Sequence, residues 1–113
     1  MYVVEFSKKT LEGTSIERNK IDYVRGYFDA EGSVPEKQGA RFYIYFAQNN
    51  KRDLEVVRKI LIELGIKCGV MHVPSEKKPT YWRFYVSSKS HRKFIELVGS
   101  WHPRKCQLLR KMI

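Results

Sequence analysis

The sequence has few cysteines, and their spacing does not suit a metal site. Its 113 residues include Cys68 and Cys106, and contain neither a C-x-x-C nor an H-x-x-x-H pair. Structural zinc sites are usually built from such closely spaced pairs, so the sequence does not indicate one. We expect both cysteines to be free, partly buried thiols, as is usual in a reducing compartment.

The sequence also lacks a long apolar run. No stretch approaches the roughly 20 apolar residues that a membrane-spanning helix needs. The N-terminal apolar patch contains Glu5, and so does not have the form of a secretory signal. We expect an intracellular protein, in the cytoplasm or nucleoid or in an organelle, that does not contact a membrane.

Acidic residues are scarce after residue 32. Residues 33–113 carry 17 Lys and Arg but six Asp and Glu, whereas residues 1–32 carry five basic and six acidic groups. A positive block of this size favours a polyanionic partner, above all nucleic acid. The bland alternative is that the charge serves solubility alone.

The chain contains no internal repeat and no linker after residue 20, and its length suits one packed core. We predict an N-terminal arm of unknown role over residues 1–19 and a single domain over residues 20–113. The first predicted helix runs from about Lys20 to Ala30, with Asn19 as its N-cap.

This first helix has two apolar stripes, whereas a surface helix needs one. The first stripe contains Ile21, Val24 and Phe28. The second stripe contains Tyr23, Gly26, Tyr27 and Ala30. Two stripes predict a helix that lies between its own core and something else.

Two segments, Arg41–Gln48 and Tyr81–Ser87, alternate between inward and outward residues as half-buried strands do. Each follows a turn and another predicted strand, near Ser33–Glu36 and at Lys67–Val73. Phe42, Ile44 and Phe46 are predicted to face inward.

Three further helices are predicted. The first runs over about Lys51–Leu64, with Asn50 or Asn49 as its cap, and the second follows Ser90 as its cap. The third runs over about Arg104–Met112. The order is α-β-β-α-β-β-α-α. It predicts an α+β fold with a four-stranded antiparallel sheet covered by helices on one face.

The outward face of the predicted sheet is rich in long donors and rings. It consists of Arg41, Tyr43, Tyr45, Tyr81, Arg83 and Tyr85, with Lys37, Lys77 and Lys78 in the adjoining turns. Such side chains can reach phosphates and base edges and can stack on bases. The alternatives are a second small core under a loop, or the ordinary preference of tyrosine for strands.

The first helix ends in VRGYFDAEG, residues 24–32. This stretch resembles the LAGLIDADG motif of homing endonucleases, with Glu31 at the eighth place and with Arg25 and Tyr27 departing from the commonest residues. The resemblance extends in pattern from about Lys20 to Met112. It implies the αββαββα fold, whose sheet forms a DNA-binding saddle, and an intron-associated endonuclease that cuts double-stranded DNA.

The resemblance also implies roles for residues around the motif. Glu31 and the carbonyl of Ala30 would bind a divalent cation, Mg²⁺, and Asp29 would tie down the helix end. A basic residue, Lys105 or failing that Arg104, would assist catalysis. A polar residue at a strand end, Gln48 or Asn49, would do the same.

Gly26 and Ala30 lie four residues apart and carry little bulk, so another helix can approach this face closely. In the family that partner is a second copy of the same helix. The sequence holds one copy, so the resemblance implies a homodimer that cuts a near-palindromic site. The alternatives are an intron RNA maturase, which would bind RNA, and a non-cleaving DNA-binding protein. The acidic Glu31 favours the enzyme.

Overall fold

The computed structural model describes residues 13–34 and 42–112. Its helices are α1 (Gly13–Glu31), α2 (Lys51–Glu63), α3 (His91–Leu97) and α4 (Pro103–Arg110), with a 3-10 turn at Ser88–Ser90. Its strands are β1 (Gly32–Ser33), β2 (Tyr45–Gln48) and β3 (Trp82–Tyr85). Within the described residues, no helix combines the length and the apolar character needed to cross a membrane.

Helix α1 begins earlier than predicted. It starts at Gly13, so Asn19 lies inside the helix and is not its N-cap. The prediction relied on a favourable capping residue, but Asn is also tolerated within a helix when tertiary packing supports it. The helix therefore crosses the predicted boundary between the N-terminal arm, residues 1–19, and the domain, residues 20–113.

The sheet is antiparallel, with the order β1-β2-β3. Gly32 pairs with Phe46, and Tyr45 pairs with both Ser33 and Tyr85. The strand predicted at Lys67–Val73 is not continuous. This segment contacts the 83–86 stretch only through isolated bridges, from Cys68 to Val86 and from His72 to Arg83. The predicted α+β class is confirmed, and the first predicted hairpin turn lies outside the described residues.

Four fully buried phenylalanines occupy the centre of the core, between α1, the sheet and α3. Phe46 stacks on Phe84 with ring centroids 5.2 Å apart, and Phe28 lies 5.4 Å from Phe46 and 5.1 Å from Phe94. Burying such rings is a main source of stability in a domain of this size. In the predicted inner stripe of α1, Val24 and Phe28 are fully buried and Ile21 is half-buried, and this fixes the orientation of the helix.

Two local predictions have different outcomes. Asn50 caps α2 as expected, since its side-chain oxygen accepts a hydrogen bond from the Asp53 N–H at 3.1 Å. Ser90 precedes α3 but makes no capping bond. Its hydroxyl accepts from the Lys67 N–H at 2.9 Å, because burial against the 67–72 segment offers it another donor.

Phe42 is a further correction, since 51% of its surface is exposed, whereas Ile44 and Phe46 are buried as predicted. β2 begins at Tyr45, so the strand alternation that placed Phe42 inward does not extend to it.

Candidate active site

Lys105 holds the C-terminal end of α1. Its ammonium group donates hydrogen bonds to the carbonyls of Phe28 (2.7 Å), Asp29 (3.0 Å) and Gly32 (3.0 Å). The last carbonyls of a helix lack partners within the helix, and a cation there also interacts favourably with the helix dipole. Of the two basic residues that the sequence left open, Lys105 lies at the motif, and Arg104 is exposed.

Burial has a larger effect on the ammonium group of Lys105 than the carboxylates near it. Partial burial lowers the pKa of Lys105, and the nearby carboxylates of Asp29 and Glu31 oppose that shift. Its Nζ also lies 4.8 Å from the Phe28 ring centroid. Lys105 is therefore a partly desolvated cation within electrostatic reach of both motif carboxylates.

Asp29 ties α1 to the turn between α3 and α4. Its carboxylate accepts hydrogen bonds from the Ser100 hydroxyl and, at 3.0 Å, from the Trp101 N–H. Ser100 in turn accepts from the His102 N–H at 2.9 Å. The expected structural role of Asp29 is confirmed, and its oxygens are already engaged.

Glu31 is the other carboxylate of the motif, and it is exposed at the last position of α1. Among the described residues, no hydrogen bond or ion pair engages it. Ala30 is also exposed, and its carbonyl is not one of those that Lys105 binds. A carboxylate at a helix C-terminus is unfavourable unless positive charge neutralises it, so the structure leaves Glu31 available for a ligand.

Only glycine fits at position 32, because Phe28 approaches its Cα closely. A Cβ atom here would lie 2.7 Å from the Phe28 carbonyl oxygen and would overlap the Phe28 ring. The absent side chain lets the chain turn from α1 into β1 while its own carbonyl reaches Lys105.

Gln48 is the last residue of β2, and its side chain lies close enough to Tyr27 of the motif to affect the pKa of that residue. Because β1 and β2 are antiparallel with Gly32 opposite Phe46, the end of β2 continues back alongside the end of α1. Gln48 is half-buried and its side-chain oxygen accepts from the Asn49 N–H at 2.8 Å, whereas Asn49 is exposed.

The hydroxyl of Tyr27 lies in the same region. It is buried and has no hydrogen-bond partner in the described part of the chain. Burial, together with the carboxylates of Asp53 and Glu31, raises the pKa of Tyr27 to about 12, and the Gln48 side chain acts in the opposite direction. The Tyr27 hydroxyl therefore stays protonated and uncharged at physiological pH.

The outward face of α1 is covered differently from what the sequence indicated. Tyr23 and Tyr27 are half-buried, and the Tyr27 ring packs 6.3 Å from Phe46. A Cβ atom on Gly26 would meet the Trp101 ring at 3.6 Å. Trp101 is 48% exposed, so the predicted interface residues Gly26 and Ala30 lie on a face that Trp101 partly overlies.

The sheet face carries a compact cluster of rings around one arginine, as the alternation predicted. Tyr43 stacks on Tyr45 at 5.6 Å, and Tyr85 meets Tyr45 at 5.7 Å. The Arg83 guanidinium lies 4.6 Å from the Tyr45 ring centroid and donates to the Tyr85 hydroxyl at 3.1 Å. These side chains are half-buried or exposed, so they form a surface.

The remaining predicted DNA-binding residues lie at the border of this face or outside the described chain. Lys77 and Lys78 are exposed in the turn before β3, and Lys78 lies 5.8 Å from the ring of half-buried Tyr81. Lys37 and Arg41 lie outside the described residues.

Two residues with contacts in these regions were not predicted from the sequence. His72 stacks parallel to Tyr85 at 5.9 Å, and Arg25 donates to the Val98 carbonyl while lying 5.0 Å from the Trp101 ring. Arg25 occupies a motif position that departs from the family, which is a usable signal. Nothing in the sequence pairs His72 with Tyr85.

Comparisons with known proteins agree with this geometry. Residues 19–99 match a family model described as a LAGLIDADG-like domain. The homing endonuclease I-ApeI of Aeropyrum pernix is 30% identical over 95 residues, which cover 83% of this chain and 41% of that protein. The chain thus spans about two-fifths of that relative's length.

Solved structures of the homing endonuclease I-DmoI have the same fold. Its complex with DNA and Ca aligns with a TM-score of 0.65 and 19% identity, over 91% of this chain and 51% of that chain. Its complex with DNA and Mn aligns with a TM-score of 0.62 and 23% identity, over 76% and 45% respectively. Together, the family match, the shared fold and the motif at the end of α1 show that this chain belongs to the LAGLIDADG-like domain family.

Proposed function

We propose that this protein is a DNA endonuclease that cuts both strands of a specific, near-palindromic site as a homodimer, with Glu31 binding a divalent cation, Mg²⁺. The observation that carries the proposal is the end of α1, where an unengaged carboxylate is exposed beside a cation that holds the surrounding backbone. The relative I-ApeI is itself a homing endonuclease.

The residues at the motif fit a hydrated cation. Mg²⁺ is usually held by one or two carboxylates together with water and phosphate oxygens. Glu31 and the Ala30 carbonyl would supply the protein ligands, since the Asp29 carboxylate is occupied by Ser100 and Trp101. No cluster of three ligating side chains occurs within the described residues, so a closed protein cage does not fit. When bound, such a cation activates water and stabilises the departing oxygen of the phosphodiester.

A second copy of the chain would complete the site. Each chain offers one free motif carboxylate, and the outward face of α1 has Gly26 and Ala30 where another helix could pack. A twofold axis between two such helices would bring both Glu31 residues together. I-DmoI, of which this chain covers up to about half, is long enough to hold two such units.

Lys105 and Gln48 would support the reaction in different ways. All three N–H groups of Lys105 are engaged by carbonyls, so Lys105 fixes the backbone that carries Glu31. Its charge would also stabilise the phosphate through space. Gln48, beside the end of α1, would orient water through its amide. In the hydrolysis, water adds to phosphorus while the bond to the 3′ oxygen breaks, and that oxygen gains a proton.

The sheet face would bind the DNA. Its Tyr and Arg side chains can contact base edges, and the lysines of the preceding turn can contact phosphates. Such binding should weaken steeply with salt.

The decisive experiment combines Glu31→Gln with DNA selection. The unmodified protein is incubated with a library of near-palindromic duplexes and Mg²⁺, and the cut ends are sequenced. On the selected site, Glu31→Gln should cut below detection and bind equally well or better. It should unfold at the same or a higher denaturant concentration, because it removes an unfavourable charge from a helix C-terminus.

Three results would contradict the proposal. Normal cutting by Glu31→Gln would remove Glu31 from the mechanism. Binding to intron RNA but not to duplex DNA would favour the maturase. Light scattering that shows a monomer at micromolar concentration, both free and with DNA, would exclude the homodimer.

A further inference from the structure

Arg83 is held in place by more contacts than an arginine needs in order to bind a phosphate. It lies on β3, which pairs with β2 on one side and with the 67–72 segment on the other. Its main chain exchanges hydrogen bonds with His72, at 2.8 and 2.9 Å. Its cross-strand partner on β2 is the small residue Ala47. Arg83 therefore has a paired chain segment on each side of its strand.

The guanidinium group itself is held on several sides. It lies 4.6 Å from the Tyr45 ring centroid and 5.8 Å from that of Tyr85. Its Nη1 donates to the Tyr85 hydroxyl at 3.1 Å. Its Nε is buried and has no hydrogen-bond partner in the described chain. Tyr85 is in turn backed by the His72 ring, stacked at 5.9 Å.

These contacts decide which donors remain for a ligand. The buried Nε cannot take part in a side-on pair with Nη2. The second hydrogen of Nη1 and one hydrogen of Nη2 can form an end-on pair in the plane of the guanidinium group, which suits two adjacent acceptors. In the major groove, guanine presents such acceptors at O6 and N7, and arginine is their commonest partner. Phosphates offer similar acceptors, but they lie along the borders of a groove.

We infer that Arg83 reads a guanine in the major groove through its two terminal nitrogens, and that Tyr85 is the positioning residue that orients it. This inference rests on the proposed function, since it requires DNA on the sheet face. Tyr85 acts through its hydroxyl and ring, which limit the rotation of Arg83 before DNA binds. Such preorganisation lowers the entropy cost of binding.

The test measures base preference at every position of the target, by binding selection followed by sequencing, for the unmodified protein and three variants. Arg83→Ala should lose a guanine preference at one position per half-site and bind that site about 5- to 150-fold more weakly. Tyr85→Phe removes one hydroxyl and should weaken the preference at that same position. Arg92→Ala is the matched control, because the exposed Arg92 lies on α3, away from the sheet face, and pairs with Glu96 at 3.6 Å. It should leave that position unchanged.

A fourth variant protects the test against misfolding. Arg83→Lys keeps the positive charge but lacks the planar pair of donors. It should retain affinity for unrelated duplexes and still discriminate less well at the guanine position, with a thermal unfolding midpoint near that of the unmodified protein.

The outcomes separate this inference from the proposed function. If the unmodified protein selects a target, but Arg83→Ala and Arg83→Lys weaken all sequences equally, Arg83 contacts a phosphate and the inference is wrong. Altered preference at different positions in Arg83→Ala and Tyr85→Phe would also overturn it. If the unmodified protein binds no duplex DNA, the proposed function fails and the inference falls with it.

Discussion

Different interactions stabilise the end of α1 and the face of the sheet. At the end of α1, an ammonium group, a carboxylate and main-chain groups are joined by directional hydrogen bonds, of 2.7–3.0 Å around Lys105. On the sheet face, tyrosine rings contact one another at centroid distances of 5.6–6.4 Å, and one arginine hydrogen bond lies among them.

The difference matches the work proposed for each region. Hydrogen bonds to charged groups weaken sharply when their geometry changes, so they fix the backbone that carries Glu31 within narrow limits. Ring contacts tolerate tilt and displacement, and suit a surface that must adapt to DNA. A substitution at the end of α1 should therefore impair chemistry, and one on the sheet face should alter recognition.

Lys105→Met tests the first half of this contrast. It keeps much of the aliphatic chain but leaves three carbonyls without their donor, so we expect the free energy of unfolding to fall by about 1–3 kcal/mol. Cleavage should fall by roughly 100-fold or more, in the range of lost proton-transfer or charge stabilisation. Denaturant unfolding and single-turnover cleavage measure the two effects.

Arg104→Met is the matched control for Lys105→Met, since the neighbouring Arg104 is exposed. It should change neither quantity measurably. Equal losses in the two variants would show that the contacts of Lys105 at the end of α1 have no special importance.

Gly26→Ala tests whether the outward face of α1 is the dimer interface. Within one chain the added methyl would meet Trp101 at an ordinary 3.6 Å, and replacing a helical glycine should stabilise the fold by about 0.5–1 kcal/mol. Between two closely packed helices the same methyl should weaken association by about 1–3 kcal/mol. Analytical ultracentrifugation should thus show weaker association, and thermal unfolding should show a higher midpoint. Unchanged association would place the interface elsewhere.

Lys78→Ala tests the electrostatic part of the sheet-face surface. Removing one phosphate contact should weaken binding to all duplexes alike and reduce the slope of log affinity against log salt by roughly 1. Its matched control is Lys59→Ala on α2, the layer that covers the other face of the sheet; it should leave the slope unchanged. A change at one base position alone would show that Lys78 reads a base.

His91 should give the smallest effect, a modest loss of stability in acid. Burial lowers its pKa, although a contact between Nε2 and the Val86 carbonyl at 3.3 Å opposes this. The folded state then binds a proton less readily than the unfolded chain. The stability that neutral His91 contributes is therefore fully present above the unfolded pKa of about 6.5, and it is lost as the pH falls through the lower pKa of the folded state. Urea unfolding from pH 8 to 5 should show a smaller decline in His91→Gln, and an identical decline would exclude His91 as its source.

Local features of the fold followed from the sequence where the signal was itself local. The inner stripe of α1, the Asn50 cap and the alternation in β3 were predicted because each depends on residues that are close in the chain. The Asn19 and Ser90 caps failed for the opposite reason. Packing extended α1 beyond Asn19, and the hydroxyl of Ser90 found a donor 23 residues away.

Candidate site residues followed the same rule. The motif identified Glu31 and Asp29, but it could not choose between Lys105 and Arg104, which are adjacent in the chain. That choice depends on which side of α4 faces the end of α1, and this orientation follows from burial of Leu108 and Leu109. The position of Trp101 over Gly26 was not predicted, because it depends on a turn 75 residues away from Gly26.

By itself, the sequence determined the family, the α+β class, the excess of positive charge and the chemical types available at the end of α1, since these depend on residue identity and short spacings. Tertiary structure alone decided that Lys105 binds three carbonyls and that Tyr45 and Tyr85 hold Arg83. Both arrangements join groups from different elements, and their geometry is fixed only when those elements pack around the buried phenylalanines.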